Sequence, residues 1–222
     1  MKHPAKYSTA ILDEFARHIA PSDKVLDPFG GTGLIHILDA HTWDVEIEPE
    51  WSAMKVENVG GSALPTRLCG NALDLQFSDG FFDVIAVSPV YGNRFSDHHN
   101  AKDPSKRRSY THDLRAATGD NERKLHPDNA GTLQWGEAYR AFHYDAWGEA
   151  IRVLRSGGLF LLNVKDHIRA GERQRVCEWH RKTIVRLGLI HEDTAKIEAP
   201  GLRYGENRER AGSELVYRFS KP

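Results

Sequence analysis

Lys24–Gly33 reads KVLDPFGGTG, a short apolar run that passes through Asp27, Pro28 and Phe29 into a glycine-rich loop. Val25 and Leu26 suit a buried strand, and the residues after Gly33, LIHILDA, restart a helical pattern. Strand, tight loop and helix in that order make a backbone that closes on a ligand. Glycine permits positive φ and lets a ligand approach the main chain where a Cβ would obstruct it. The N–H groups at the start of a following helix suit a phosphate or the carboxylate of a methionine moiety. Two absences narrow the ligand. No Lys-Ser or Lys-Thr follows the loop, as a P-loop requires, and the third glycine of the dinucleotide fingerprint is missing.

Outward from this loop the chain alternates helices and strands. Upstream, Ser8–Ile19 places Ile11, Leu12, Phe15 and Ile19 on one helical face, with Ser8 or Thr9 as N-cap. Downstream, Asp44–Glu48 reads as a second strand and Pro49–Val56 as a short helix. Thr66–Cys69 is a brief third strand ending at Gly70-Asn71, and Asp83–Val87 a fourth ending at Ser88-Pro89. Tyr144–Leu154 reads as an amphipathic helix closed by Ser156-Gly157-Gly158, with Leu159–Val164 as the next strand. Glu172–Leu187 reads as a helix, and His191–Ile197 and Glu214–Phe219 as the last strands.

This order predicts an α/β protein: a Rossmann-like, mostly parallel, doubly wound sheet with a terminal antiparallel strand, one domain over residues 1–222. In such a sheet strands one and four are neighbours where the strand order reverses. The Asp27–Gly33 loop and the Ser88–Asn93 loop (SPVYGN) therefore open into one crevice. An acidic side chain at the end of strand two, Glu46 or Glu48, is placed to hold both hydroxyls of a ribose, and Asn71 to meet an adenine edge.

Composition excludes several classes. With 40% hydrophobic and 27% charged residues, the 222-residue chain has the make-up of an ordinary globular domain. Cys69 and Cys177 stand far apart, which argues against a disulfide framework or a zinc ribbon. No apolar run approaches a bilayer span, and MKHPAKYSTA has no signal-peptide core, so a cytoplasmic location without membrane contact is expected. A net charge of −1 means that any nucleic-acid binding comes from a local patch. The histidines at 98, 99, 112, 126 and 143 match no metal-ligand spacing, and no metal is expected.

Taken together, these segments resemble the DNA amino-methyltransferases, which transfer a methyl group from S-adenosylmethionine (SAM). DPFGGTG is similar to their motif I, usually DPF-x-G-x-G; VEIEPEW to motif II, GNAL to motif III, and HPAKYS at His3–Ser8 to motif X. The resemblance covers roughly the first 90 residues and implies SAM as cofactor. It assigns cofactor contacts to Tyr7, Ser8, Asp27, Pro28, Phe29, Gly30, Gly31, Thr32, Gly33, Glu46, Asn71 and Ala72. SPVYGN resembles motif IV, usually Asp/Asn/Ser-Pro-Pro-Tyr/Phe/Trp, which implies catalytic roles for Ser88, Pro89 and Tyr91. The chemistry suits those residue types. A polar side chain and a proline-held carbonyl accept N–H bonds from an exocyclic amine, and Tyr91 offers a stacking surface to a flipped base. Val90 replaces the usual second proline. Ser88 in first position resembles the cytosine-N4 subgroup more than the adenine-N6 one, and both acceptors stay open. The compact chain resembles the small modification enzymes of phages and solitary modification systems. RNA methylation, or a catalytically impaired SAM- or DNA-binding protein, are the rival readings.

Between Arg94 and roughly Ala141 the apolar periodicity disappears, so residues 94–141 read as an inserted DNA-contacting, target-recognition region. From Arg94 to Lys124 eight positive side chains face five negative ones. Arg94, Lys106, Arg107 and Arg108 there, with Arg203 before the last strand, are the expected nucleic-acid contacts. Tyr110, Trp135 and Tyr139 are expected to add stacking. The region is short for target recognition, which points to limited sequence specificity or to a homodimer that completes the DNA cleft. At the end of strand five, Lys165 or His167 reads either as a substrate contact or as part of a strand-end cap.

Overall fold

The computed structural model describes residues 8–53, 65–92, 110–169, 171–198 and 213–222. The elements in chain order are α1 (Thr9–Ala16), β1 (Lys24–Asp27), β2 (His41–Glu46), α2 (Pro49–Ser52), β3 (Thr66–Cys69), β4 (Phe82–Val87) and α3 (Tyr110–Thr118). They continue with α4 (Glu137–Val153), β5 (Leu154–Val164), β6 (His167–Arg169), β7 (Glu172–Gln174), α5 (Val176–Arg186), β8 (Ile190–Glu198) and β9 (Ser213–Ser220).

Seven strands form one sheet in the order β3-β2-β1-β4-β5-β9-β8, and β6 and β7 make a separate hairpin. The first five strands run parallel, whereas β9 lies antiparallel to both β5 and β8. This is the doubly wound α/β sheet expected from the sequence. The two-residue period of the inner strands feeds two cores. Ile85 and Val87 of β4 with Phe160 and Leu162 of β5 pack on one face, under Trp147 and Ala150 of α4 and Ile184 of α5. Val84 and Ala86 with Leu161 pack on the other, against Ile11, Leu12 and Phe15 of α1.

Beyond an unexpected α3 and a β5 that begins at Leu154 rather than Leu159, three expected helices depart from the sequence reading. After Gly33 there is no α-helix, only a 3-10 turn at Leu34–Ile37 whose following residue, Leu38, is already extended. Residues 28–40 must supply the whole crossover between parallel β1 and β2, and the loop uses nearly half of them. Helix α4 begins at Glu137, seven positions before the expected start. Its buried stripe includes Tyr139, His143, Ala146, Trp147 and Ala150, which keeps helical spacing but opens with a tyrosine and a histidine that read as polar. The expected helix from Glu172 opens instead as strand β7 of the hairpin, and α5 starts at Val176, where the Asp166 carboxylate accepts the Cys177 N–H at 2.8 Å.

Candidate functional site

Between the β1 and β4 loops lies one cavity of about 330 Å³, the size of a small-molecule site. Twelve residues named from the sequence line it: Ser8, Pro28, Phe29, Gly30, Gly31, Thr32, Glu46, Asn71, Ala72, Ser88, Pro89 and Tyr91. Asp27 and Gly33 stand just behind the wall. The buried Asp27 carboxylate accepts the Phe29 N–H at 2.9 Å, and the Gly33 N–H donates to the Gly30 carbonyl at 2.8 Å, which closes the turn. Tyr7, Arg94, Lys106, Arg107, Arg108 and Arg203 lie outside the described residues.

The loop after β1 is held by β2 rather than by a following helix. The Gly30 N–H donates to the Val45 carbonyl at 2.8 Å, and the Gly31 N–H to Glu46 Oε2 at 2.9 Å. Gly30 must be glycine because a Cβ there would stand 2.6 Å from Asp44 Oδ2. Asp44 is fully buried under the loop, with Arg67 Nη2 at 3.4 Å and His36 Nε2 at 3.6 Å. The same Arg67 nitrogen donates to the Gly31 carbonyl. Arg67 and Asp44 were not legible as loop supports, because β3 approaches the loop only through the sheet.

Glu46 carries the main electrostatic feature of this side. Its Oε1 accepts the Glu48 N–H at 2.9 Å, so each carboxylate oxygen already holds one backbone donor and keeps lone-pair capacity for another. Burial pushes its pKa up from 4.5 to about 7, opposed by the Glu48 N–H, Arg67 and the Gly31 N–H. Glu48 does a different job. Fully buried, it takes the Arg123 guanidinium at 3.0 Å, the His126 N–H at 2.7 Å and Asn129 Nδ2 at 2.8 Å. Arg123 also grips Glu50 at 2.8 Å and 2.9 Å. The second half of the region read as a DNA-contacting insertion is thus tied down beside the cavity. Asp128, Asn129, Ala130 and Gly131 form part of its wall, and Asn71 Nδ2 donates to Asp128 Oδ2 at 2.9 Å. The positive charge of Arg123 is spent on this clamp.

On the β4 side of the cavity, Ser88 Oγ donates to Asn163 Oδ1 at 2.8 Å and Tyr91 Oη to the same oxygen at 2.7 Å. The two hydroxyls lie 3.0 Å apart, and Tyr91 Oη also reaches Glu214 Oε2 at 3.3 Å. Burial, then the Glu214 charge, pushes the Tyr91 phenol well above its ordinary range. Behind the loop, Trp147 Nε1 donates to His180 Nδ1 at 3.0 Å, so the ring proton sits on Nε2, 2.9 Å from the Tyr139 hydroxyl. Tyr139 in turn donates to the Val90 carbonyl at 2.7 Å. Expected as a stacking residue for nucleic acid, Tyr139 is instead a fully buried member of this chain. Trp135 packs on Tyr139 and Trp179 at 5.3 Å and 5.8 Å, and its backbone N–H donates to the Gly92 carbonyl at 2.9 Å. His143 is also core, stacked on Tyr139 at 4.0 Å, and burial pushes its pKa down to about 4. Of the strand-five segment, Asp166 is the capping residue, while Asn163 and Glu214 complete the site. Neither was singled out as a site residue, because their partners lie 75 and 123 positions away in sequence.

No family model matches the sequence, and no curated protein does either. Solved structures match along almost the whole chain. The SAM-dependent methyltransferase of Methanosarcina mazei superposes with a TM-score of 0.56 at 11% identity, over 94% of this chain and 96% of that one. The TehB-like SAM-dependent methyltransferase of Corynebacterium glutamicum gives 0.53 at 15%, over 96% and 88%. The 1,6-didemethyltoxoflavin-N1-methyltransferase of Burkholderia thailandensis, solved with 1,6-didemethyltoxoflavin and S-adenosylhomocysteine, gives 0.53 at 13%, over 95% and 76%. The chain has the Rossmann-like fold of the SAM-dependent methyltransferases. Among the described residues no helix is long and apolar enough to cross a membrane.

Proposed function

We propose that the protein binds SAM and transfers its methyl group to the exocyclic amine of a nucleobase in DNA, N4 of cytosine or N6 of adenine. The observation that carries the reading is the single cavity lined both by the DPFGG loop and by Ser88-Pro89-Val90-Tyr91. The residues fit the cofactor: Glu46 for the ribose hydroxyls, Asn71 and Ala72 for the adenine, and the loop at 28–32 with Ser8 for the methionine end. Bound there, SAM supplies a methyl group already activated on a sulfonium. What the chain adds is position. Ser88 Oγ and the Pro89 carbonyl accept the amine N–H groups. Val90 does not argue against activity, since Tyr139 holds its carbonyl where a second proline would have stiffened the loop. In this reading the chain is one cytoplasmic domain whose basic residues Arg94, Lys106, Arg107, Arg108 and Arg203 meet the DNA backbone, alone or as a homodimer.

A small-molecule amine is the second reading, favoured by the wall that residues 128–131 build beside the cavity. Incubation with tritiated SAM separates the two. Label in DNA, recovered after digestion as N4-methylcytosine or N6-methyladenine by mass, supports the first. Label in RNA alone, or SAM bound with no label in either polymer, overturns it.

A further inference from the structure

We infer that Arg140 and Arg169, both anchored on Trp135, form a surface beside the β4 loop that takes the phosphodiesters of a DNA strand. This deepens the reading of the substrate as DNA and rests on it.

The place of the surface is set by one close approach. Gly92 follows Tyr91 of the cavity wall with φ 65°, and a Cβ on it would stand 2.8 Å from the Trp135 nitrogen. Trp135 therefore runs directly against the end of the SPVYG loop, its backbone N–H on the Gly92 carbonyl at 2.9 Å. Two guanidinium groups are fixed on this tryptophan. That of Arg140 lies over the indole, 5.6 Å from the ring centroid. Arg169, in the β6–β7 hairpin, donates to the Trp135 carbonyl at 3.4 Å and to Gln134 Oε1 at 2.8 Å.

Indole, carbonyl and amide are neutral partners. Among the described residues neither arginine pairs with a carboxylate, and Glu172, opposite Arg169 in the hairpin register, forms no ion pair with it. Arg123 is the contrast, its charge taken up by Glu48 and Glu50. A guanidinium held by neutral groups keeps its field and its remaining N–H donors for an incoming anion. The hairpin adds to that field: residues 165–175 carry Lys165, Arg169, Arg173 and Arg175 against Asp166 and Glu172, in a chain of net charge −1. Arg173 and Arg175 do pair, with Asp166 and Glu178, so the fixed and unpaired charge is that of Arg140 and Arg169.

Position argues for the ligand. A base drawn out of its stack into the cavity leaves its own phosphodiesters at the rim. On the β4 side that rim passes through Tyr91 and Gly92, one hydrogen bond from Trp135. Phosphate contacts there would fix the strand without reading its sequence.

The test is the salt dependence of binding to a fluorescein-labelled DNA duplex, followed by anisotropy without turnover. For Arg140→Gln or Arg169→Gln, affinity is expected to weaken roughly fivefold to tenfold at about 0.1 M salt, and the slope of log K against log salt to shrink by about 1. The double variant is expected to lose about 2. Arg169→Lys, which keeps the charge, is expected to retain most of the slope. Arg186→Gln, the same loss of charge at the far end of α5, is expected to leave affinity and slope unchanged. SAM affinity by calorimetry and kcat at saturating DNA should stay within about twofold of wild type throughout, so that the loss falls on KM for DNA. A wild-type slope in the double variant, or the same shift from Arg186→Gln, overturns the inference. So does a wild-type protein that binds phosphatidylserine vesicles but no DNA. Label transfer separates the two readings. If DNA is methylated and the double variant keeps the wild-type slope, this inference falls alone. If binding depends on the two arginines and no label enters DNA, the functional reading falls and the surface stands.

Discussion

The two walls of the cavity are built on different physics. The wall proposed for the cofactor is charged: Asp44, Glu46 and Glu48 lie on or just after one strand, and the Glu46 and Glu48 carboxylates accept the N–H groups of Gly31, Glu48 and His126. The wall proposed for the acceptor is largely neutral. Ser88, Tyr91, Tyr139, Asn163 and His180 meet through hydroxyl, amide and imidazole groups spread over four elements. A wall made of buried carboxylates responds to pH and to the loss of a cation. One made of neutral networks responds to the loss of a single proton donor or acceptor. Changes in the cofactor wall should therefore move SAM affinity, and changes in the acceptor wall should move kcat.

The largest expected effect is at Gly30. Gly30→Ala brings a Cβ to 2.6 Å from the buried Asp44 carboxylate, so the loop or that side chain must shift. The cost is about 3 kcal/mol of stability, the upper end of overpacking, with loss of measurable SAM binding. Urea denaturation and calorimetry check it, and a variant of wild-type stability would show that the loop tolerates a Cβ.

Arg123→Met comes next. It leaves Glu48 buried beside Glu50 without the cation that serves both. Arg123 is a quarter exposed and Glu48 keeps two N–H donors, so the expected loss is about 2 kcal/mol rather than the full cost of an orphaned buried charge. SAM affinity should fall as the wall at 128–131 loosens. An unchanged affinity would detach that wall from the cofactor side.

Tyr139→Phe probes the other wall. It removes the donor to the Val90 carbonyl and strands His180 Nε2, for about 1–2 kcal/mol. Here the expected signature is reversed, with SAM affinity kept and kcat reduced. A fall in SAM affinity instead would mean that the two walls are one mechanical unit.

The same contrast explains what was legible in the sequence. The parallel sheet and the cofactor wall could be read because strand, glycine loop and acidic strand end follow one another within about two dozen residues. The missing helix after Gly33 could not, since LIHI has helical spacing and only the length of the crossover forbids it. Tyr139 was expected at a nucleic-acid surface because a tyrosine in a polar stretch without apolar periodicity looks exposed, whereas packing uses its ring against His143. Asn163 and Glu214 were invisible as a pair with Tyr91, for strand order alone brings them together.

The smallest effect on SAM affinity is the pH response of Glu46, and it has opposite signs for stability and for binding. Without cofactor the folded protein holds a proton on this carboxyl up to about pH 7, whereas the unfolded chain releases it near 4.5. Its contribution to stability is therefore complete below about 4.5 and is lost as pH rises through 7. A ribose donating hydroxyls to the carboxylate favours the ionised form, so SAM affinity runs the other way and weakens as pH falls through 7. With a midpoint near 7, affinity should drop roughly threefold between about pH 7.5 and 6.5. Glu46→Gln should bind more weakly but equally at both values, and its unliganded stability should lose the decline toward neutral pH. A glutamine variant that keeps the wild-type slope would move the titrating group elsewhere in the cavity, with the ribose contact losing its electrostatic basis.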